Sequence, residues 1–125
     1  MAPIIIIEDE ANIRKFARVN LLARGHEVVE AENAVDGLAK LRETSPKLLL
    51  LDIKLPDMSG WDLLTLILND PDLPRPPVIV ITASLGESRP PEIQYPGLYK
   101  VLVKPVAAME LVKVVEEVLS REGSE

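Results

Sequence analysis

Three carboxylates, one hydroxyl and one ammonium stand directly after apolar runs in this chain. Glu8 and Asp9 follow Ile4-Ile5-Ile6-Ile7, and Asp52 follows Leu48-Leu49-Leu50-Leu51. Thr82 closes Val78-Ile79-Val80-Ile81, and Lys104 follows Val101-Leu102-Val103. Carboxylates gathered in one place repel one another unless a cation neutralises them, and an all-oxygen donor set suits a hard cation such as magnesium, which keeps several waters and often meets a phosphate. A lysine and a hydroxyl opposite such a cluster can hold a tetrahedral anion. Together these groups make a phosphoryl site, in which catalysis is mainly positioning and charge stabilisation. A carboxylate there can itself be the nucleophile and become an aspartyl phosphate. The residues alone thus point to magnesium-dependent phosphoryl transfer.

Such convergence needs a scaffold that brings the ends of distant runs together. The runs are continuous rather than alternating, the pattern of strands covered on both faces in a parallel sheet. A weaker strand lies around Val28-Val29. Helical patterns fall between the strands. Ile13, Phe16, Ala17 and Leu21 share one face, with a left-handed stop expected at Gly25. Asn33 is placed to cap a second helix that closes at Ser45-Pro46, and Ser59 to cap a third through Trp61, Leu64 and Leu68. The last helix is expected from about Ala107 to Arg121, with Met109, Val112, Val115, Val118 and Leu119 available for packing. Strand and helix in alternation give an α/β fold, doubly wound, with a five-stranded parallel sheet in the flavodoxin-like order 2-1-3-4-5. Sites in such folds sit beyond the carboxyl ends of the strands, where Glu8, Asp9, Asp52, Thr82 and Lys104 all belong.

One stretch breaks the alternation. Seven of the 11 prolines lie between Pro71 and Pro96. Pro90, Pro91 and Pro96 fall where a fourth helix should cross over, so that helix is expected to be irregular or missing between Ser84 and Leu98.

Composition narrows the function classes. Lys+Arg 14 against Asp+Glu 20 leaves a net charge of −6, which counts against a nucleic-acid face. With no cysteine, disulfides, thiolate nucleophiles and Cys-ligated zinc are excluded. The isoleucine run near the start lacks a basic leading region and is broken by Glu8-Asp9-Glu10, so it is read as a strand and not a signal segment. No run reaches the roughly 20 apolar residues of a membrane helix. The expectation is a cytoplasmic, water-soluble domain with no membrane contact. No Gly-rich phosphate loop is present, which disfavours a nucleotide-binding enzyme or small phosphoryl-transfer hydrolase of similar architecture. Trp61, Tyr95 and Tyr99 are read as packing residues, His26 as exposed, and Asp57, Asp62, Asp70 and Asp72 as turn and cap residues.

Four segments together carry a family pattern: Ile-Ile-Glu-Asp-Glu at the first strand end, Leu-Leu-Asp-Ile-Lys-Leu-Pro-Asp-Met-Ser-Gly around Asp52, Ile-Thr-Ala at the fourth strand and Val-Lys-Pro at the fifth. In this order, each at a strand end, they resemble the receiver domains of two-component response regulators, the CheY-like family, from Ile4 to about Leu119. The resemblance implies a receiver domain over residues 1–121, with 122–125 as a polar tail or the start of a linker. It implies Asp52 as the phosphoacceptor, taking a phosphoryl group from a histidine kinase or histidine phosphotransfer protein. Asp9 then holds magnesium directly, Glu8 stands nearby, and Lys54 adds its backbone carbonyl. Thr82, next to Ala83, donates to the phosphoryl group, Lys104 pairs with it, and Pro105 follows a cis bond that aims Lys104. Such a domain is a signalling module that assists its own phosphorylation and dephosphorylation, and it acts on an output domain or effector protein.

Two departures accompany the matches. Glu8 stands where the family most often has Asp, a substitution that preserves a carboxylate. Val101 stands where the family usually has a Tyr or Phe that swings on activation, so an aromatic switch is unavailable there. With the proline-broken stretch, this leaves open a receiver-like interaction module whose output is atypical or independent of phosphorylation.

Overall fold

The computed structural model describes residues 2–83 and 95–123. The described residues form five strands and four helices: β1 (Ile4–Ile7), α1 (Ala11–Leu22), β2 (Val28–Ala31), α2 (Ala34–Thr44), β3 (Leu48–Asp52), α3 (Gly60–Asn69), β4 (Val78–Thr82), β5 (Leu98–Val103) and α4 (Ala108–Gly123). All pairings are parallel, in the order β2-β1-β3-β4-β5, as the alternation predicts. The expected break in a crossover helix falls on residues 84–94, outside the described residues. From Tyr95 the chain turns through Pro96-Gly97 into β5, with the Leu98 amide donating to the Tyr95 carbonyl at 3.0 Å.

Because side chains alternate along a strand, each unbroken apolar run serves two cores. Ile5, Ile7, Leu49, Leu51, Val78 and Val80 face α2 and α3. Ile4, Ile6, Leu48, Leu50, Ile79 and Ile81 face α1 and α4. Trp61 is buried at the start of α3, and buried Tyr95 donates its hydroxyl to the Pro76 carbonyl at 2.7 Å, both packing residues as expected.

The caps form where the sequence places them. Asn33 accepts from the Asp36 amide, Ser59 from the Trp61 amide, and Gly25 takes φ 86° just beyond α1. Ser45 closes α2 in the left-handed region, with φ 46°. Two packing assignments are corrected. Phe16 lies outside the buried core at 37% exposure, because Ala17 and Leu21 are the buried residues of α1. Met109 is 85% exposed in the first turn of α4, whose buried stripe is Leu111, Val114, Val115 and Val118. That helix runs to Gly123, past the expected end at Arg121. No helix among the described residues is long and apolar enough to cross a membrane.

Candidate functional site

Sheet register carries the chemistry to one rim. Ile7 pairs with Leu51, so Glu8 and Asp52 emerge side by side from the central strands. Asp52 pairs with Ile81, and Thr82 with Val103, which puts Thr82 and Lys104 on the flanking strands one step higher. The Lys104 amide donates to the Thr82 carbonyl at 2.8 Å, fixing the end of β5 against β4. The Lys104–Pro105 bond is cis, as the resemblance implies.

Glu8, Asp52 and Thr82 are the buried polar residues of the described chain, while Asp9 is exposed at the mouth. One carboxylate oxygen from each of Glu8, Asp9 and Asp52 lies within 4.8 Å of the others. The Lys104 ammonium enters this group, 3.1 Å from Glu8, 3.5 Å from Asp52 and 3.5 Å from Glu10. Lys54 is exposed, and its amide donates to Asp52 Oδ1 at 3.3 Å. Gly60 lets α3 start directly on the end of β3: a Cβ there meets the Asp52 carbonyl oxygen at 2.6 Å, closer than any side chain tolerates.

Burial and like charge set the electrostatics. Burial, then the neighbouring Asp52 charge, push the Glu8 carboxyl up to about 7, against the pull of Lys104. Burial also raises Asp52, although Lys104 and the Lys54 amide favour its charged form. For Lys104, burial favours the neutral amine, but hydrogen bonding to Glu8 and the charges of Glu8, Asp52 and Glu10 outweigh it and hold the group above its ordinary value. A set of oxygen donors this close, all of them carboxylates, fits a small hard cation that keeps part of its water shell.

The structure thus brings together Glu8, Asp9, Asp52 and Lys104, with Thr82 buried beside them. Val101 is 37% exposed on β5 in register with Val80, and Ala83 is exposed just past Thr82. An apolar groove of about 520 Å³ opens next to Lys104, walled by Ile13 and Phe16 of α1, Ala83, Val106 and Leu111.

Three residues were not legible as contributors. Glu10 reaches Lys104. Arg14 donates to the Glu8 carbonyl at 2.7 Å and to Glu30 Oε1 at 3.1 Å, which anchors the acidic loop to β2. Asp57 is the cap residue expected of it, but for α2 and not for its own helix. Charged residues this common give no signal of their partners from spacing alone. His26 is corrected from exposed to largely covered: its side chain is 12% exposed, with Nε2 2.9 Å from Glu116 Oε2 and Nδ1 3.2 Å from Lys47 Nζ.

A family model described as the response regulator receiver domain matches residues 4–116. Protein PilH of Pseudomonas aeruginosa is 31% identical over 120 residues, which cover 96% of this chain and 99% of that protein. The polar-differentiation response regulator DivK of Brucella anthropi is 28% identical over 116 residues, 93% of this chain and 94% of DivK. Among solved structures, a CheY-like response regulator receiver domain protein from Methanospirillum hungatei JF-1 matches with a TM-score of 0.81 at 29% identity, over 98% of this chain and 96% of that one.

Proposed function

The chain belongs to the response regulator receiver domain family, and from that premise we propose that it is a phosphoacceptor in a two-component phosphorelay, with Asp52 as the residue that takes the phosphoryl group. The observation that carries this reading is the approach of the Lys104 ammonium to both buried carboxylates, 3.1 Å from Glu8 and 3.5 Å from Asp52. An Asp52 carboxylate oxygen forms the new P–O bond while the P–N bond of a phosphohistidine breaks, and the imidazole nitrogen leaves with the bonding pair. Asp52 must be ionised to attack. Lys104 and the Lys54 amide favour that form against the cost of burial.

Glu8, Asp9 and Asp52, with the Lys54 backbone carbonyl, are the groups that would hold magnesium, which when bound supplies positive charge to the phosphoryl oxygens. Thr82 donates its hydroxyl to one phosphoryl oxygen and Lys104 pairs with another. The groove between Phe16 and Val106 gives a histidine kinase or phosphotransfer protein an apolar place to rest beside Lys104. The domain assists its own phosphorylation and dephosphorylation rather than turning over a small substrate. It acts in the cytoplasm on an output domain or effector protein, without contacting nucleic acid or membrane itself.

Intact-mass analysis after acetyl phosphate with magnesium tests this, beside an Asp52→Asn control. One phosphoryl adduct on the wild type, lost without the cation and absent from the control, is the expected result. Full labelling of Asp52→Asn overturns it, and continuous turnover of a phosphate ester points to a hydrolase instead. A second reading is favoured by one observation, Val101 at 37% exposure in place of an aromatic: an interaction module whose output does not depend on phosphorylation. Partner binding that is indifferent to Asp52→Asn supports that second reading.

A further inference from the structure

The loop from Ile53 to Ser59 joins β3 to α3, and its two ends are pinned. Lys54 and Ser59 form a short antiparallel bridge, and the Gly60 amide donates to the Ile53 carbonyl at 2.7 Å. Its tip, Pro56 and Asp57, is exposed. Asp57 nevertheless reaches across to another element: Oδ1 accepts from the Ala34 amide and Oδ2 from the Val35 amide, both at 2.9 Å. These amides are the ones that the helix's own cap leaves open, since Asn33 takes the Asp36 amide. Ala34 is fully buried, so its N–H has little access to water as a substitute partner. The Ala34 amide above all, opposed by desolvation and helped by the Val35 amide, holds the Asp57 carboxyl below its usual range.

We propose that Asp57 is a positioning residue for the phosphoryl site: by clamping the tip of the β3–α3 loop onto the N-terminus of α2, it fixes the loop that carries Lys54 beside Asp52. A carboxylate is needed because both oxygens accept, one from each of two successive amides. Asparagine keeps one acceptor, and alanine keeps none. Through this clamp α2, whose core face packs on β1, becomes part of the frame that holds the cation-binding loop at its working height. The inference rests on the reading of Asp52 as phosphoacceptor and of Lys54 as a contributor to the cation site.

A cap and a clamp are separated by comparing Asp57→Ala with Asn33→Ala. Both remove a cap from the same helix, but only the first frees the loop. Magnesium affinity is read from the fluorescence of Trp61, which follows the loop directly, and phosphoryl uptake from intact mass with acetyl phosphate. Asp57→Ala is expected to weaken magnesium binding about fivefold, the factor that a cap of roughly 1 kcal/mol represents, and to slow labelling. Asp57→Asn should recover part of both, and Asn33→Ala should leave both near wild type despite a similar fall in melting temperature. Equal effects of the two alanine variants, or an unchanged magnesium titration in Asp57→Ala, overturn the proposal. If the wild type itself takes no label, the reading of Asp52 fails, and the magnesium titrations still decide the clamp.

Discussion

Lys104 brings one positive charge into a rim where Glu8 and Asp52 are both buried and Glu10 stands at the edge. Removing one partner of a buried ion pair leaves an uncompensated charge, whereas removing a surplus buried carboxylate relieves one. The two substitutions should therefore move stability in opposite directions. Lys104→Ala is expected to cost about 2 kcal/mol in metal-free buffer, less than the usual toll of a broken buried pair because Glu8 already takes up a proton readily. Asp52→Asn should be neutral or stabilising by up to about 1 kcal/mol, since the Lys104–Glu8 contact at 3.1 Å survives it. Urea denaturation of both variants checks this, and an Asp52→Asn protein less stable than Lys104→Ala would sink the account. At this scale the sequence was informative for a physical reason. A polar residue that ends a strand buried on both faces has few places to go except the rim, so Glu8, Asp52, Thr82 and Lys104 stood out. Arg14, His26 and the target of Asp57 did not, because their partners lie on other elements at distances along the chain that no local pattern encodes.

Elements were legible wherever termination is local chemistry. Asn33, Ser45, Ser59 and Gly25 mark helix ends because capping and left-handed turns depend on one or two residues. Helix faces were less so: Phe16 and Met109 are apolar at plausible spacing, yet both are exposed, because the sheet decides which stripe is covered. Between α1 and β2 the structure adds an ion cluster that no pattern announced. Glu30 accepts from Arg14 at 3.1 Å and from Arg18 at 2.6 Å, tying a helix to a short edge strand. Partial burial works against the Glu30 carboxylate, but the hydrogen bonds and charges of Arg18 and Arg14 prevail and hold its pKa below the ordinary value of 4.5. A carboxyl depressed on folding stabilises the native state above its unfolded pKa, and that contribution is lost as the pH falls through the folded value. Glu30→Gln should therefore lower stability at pH 7 by on the order of 1 kcal/mol, after allowing for solvent screening of a partly exposed cluster. The gap should close once the solution is acid enough to protonate Glu30 in the native protein. Parallel melts of the two proteins from neutral pH downward measure it, and a constant gap across that range contradicts the assignment.

Over the whole molecule, counting buried runs between helices led to five parallel strands, and the flavodoxin-like precedent for a small doubly wound sheet led to the order β2-β1-β3-β4-β5 that the structure has. The same order places β1 and β3, the strands that end in carboxylates, side by side at the centre of a chain that already carries a net charge of −6. The fold therefore concentrates negative charge where its sheet is most deeply covered, and a cation that binds only the native arrangement should stabilise the entire domain. At a tenfold excess of free magnesium over Kd, the gain is about 1.4 kcal/mol. For a domain of this size that corresponds to a rise in Tm of roughly 4–7 °C. Screening of the net charge by any salt also raises Tm, so the comparison is with sodium chloride at matched ionic strength. Asp9 supplies the sharper control. It is exposed, and it makes none of the ion pairs that hold Glu8 and Asp52 to Lys104. Asp9→Ala should thus leave the metal-free Tm nearly unchanged while abolishing the magnesium-specific increment. An increment that survives Asp9→Ala, or one that sodium reproduces, means that the cation acts on the charge of the molecule as a whole and not at the rim.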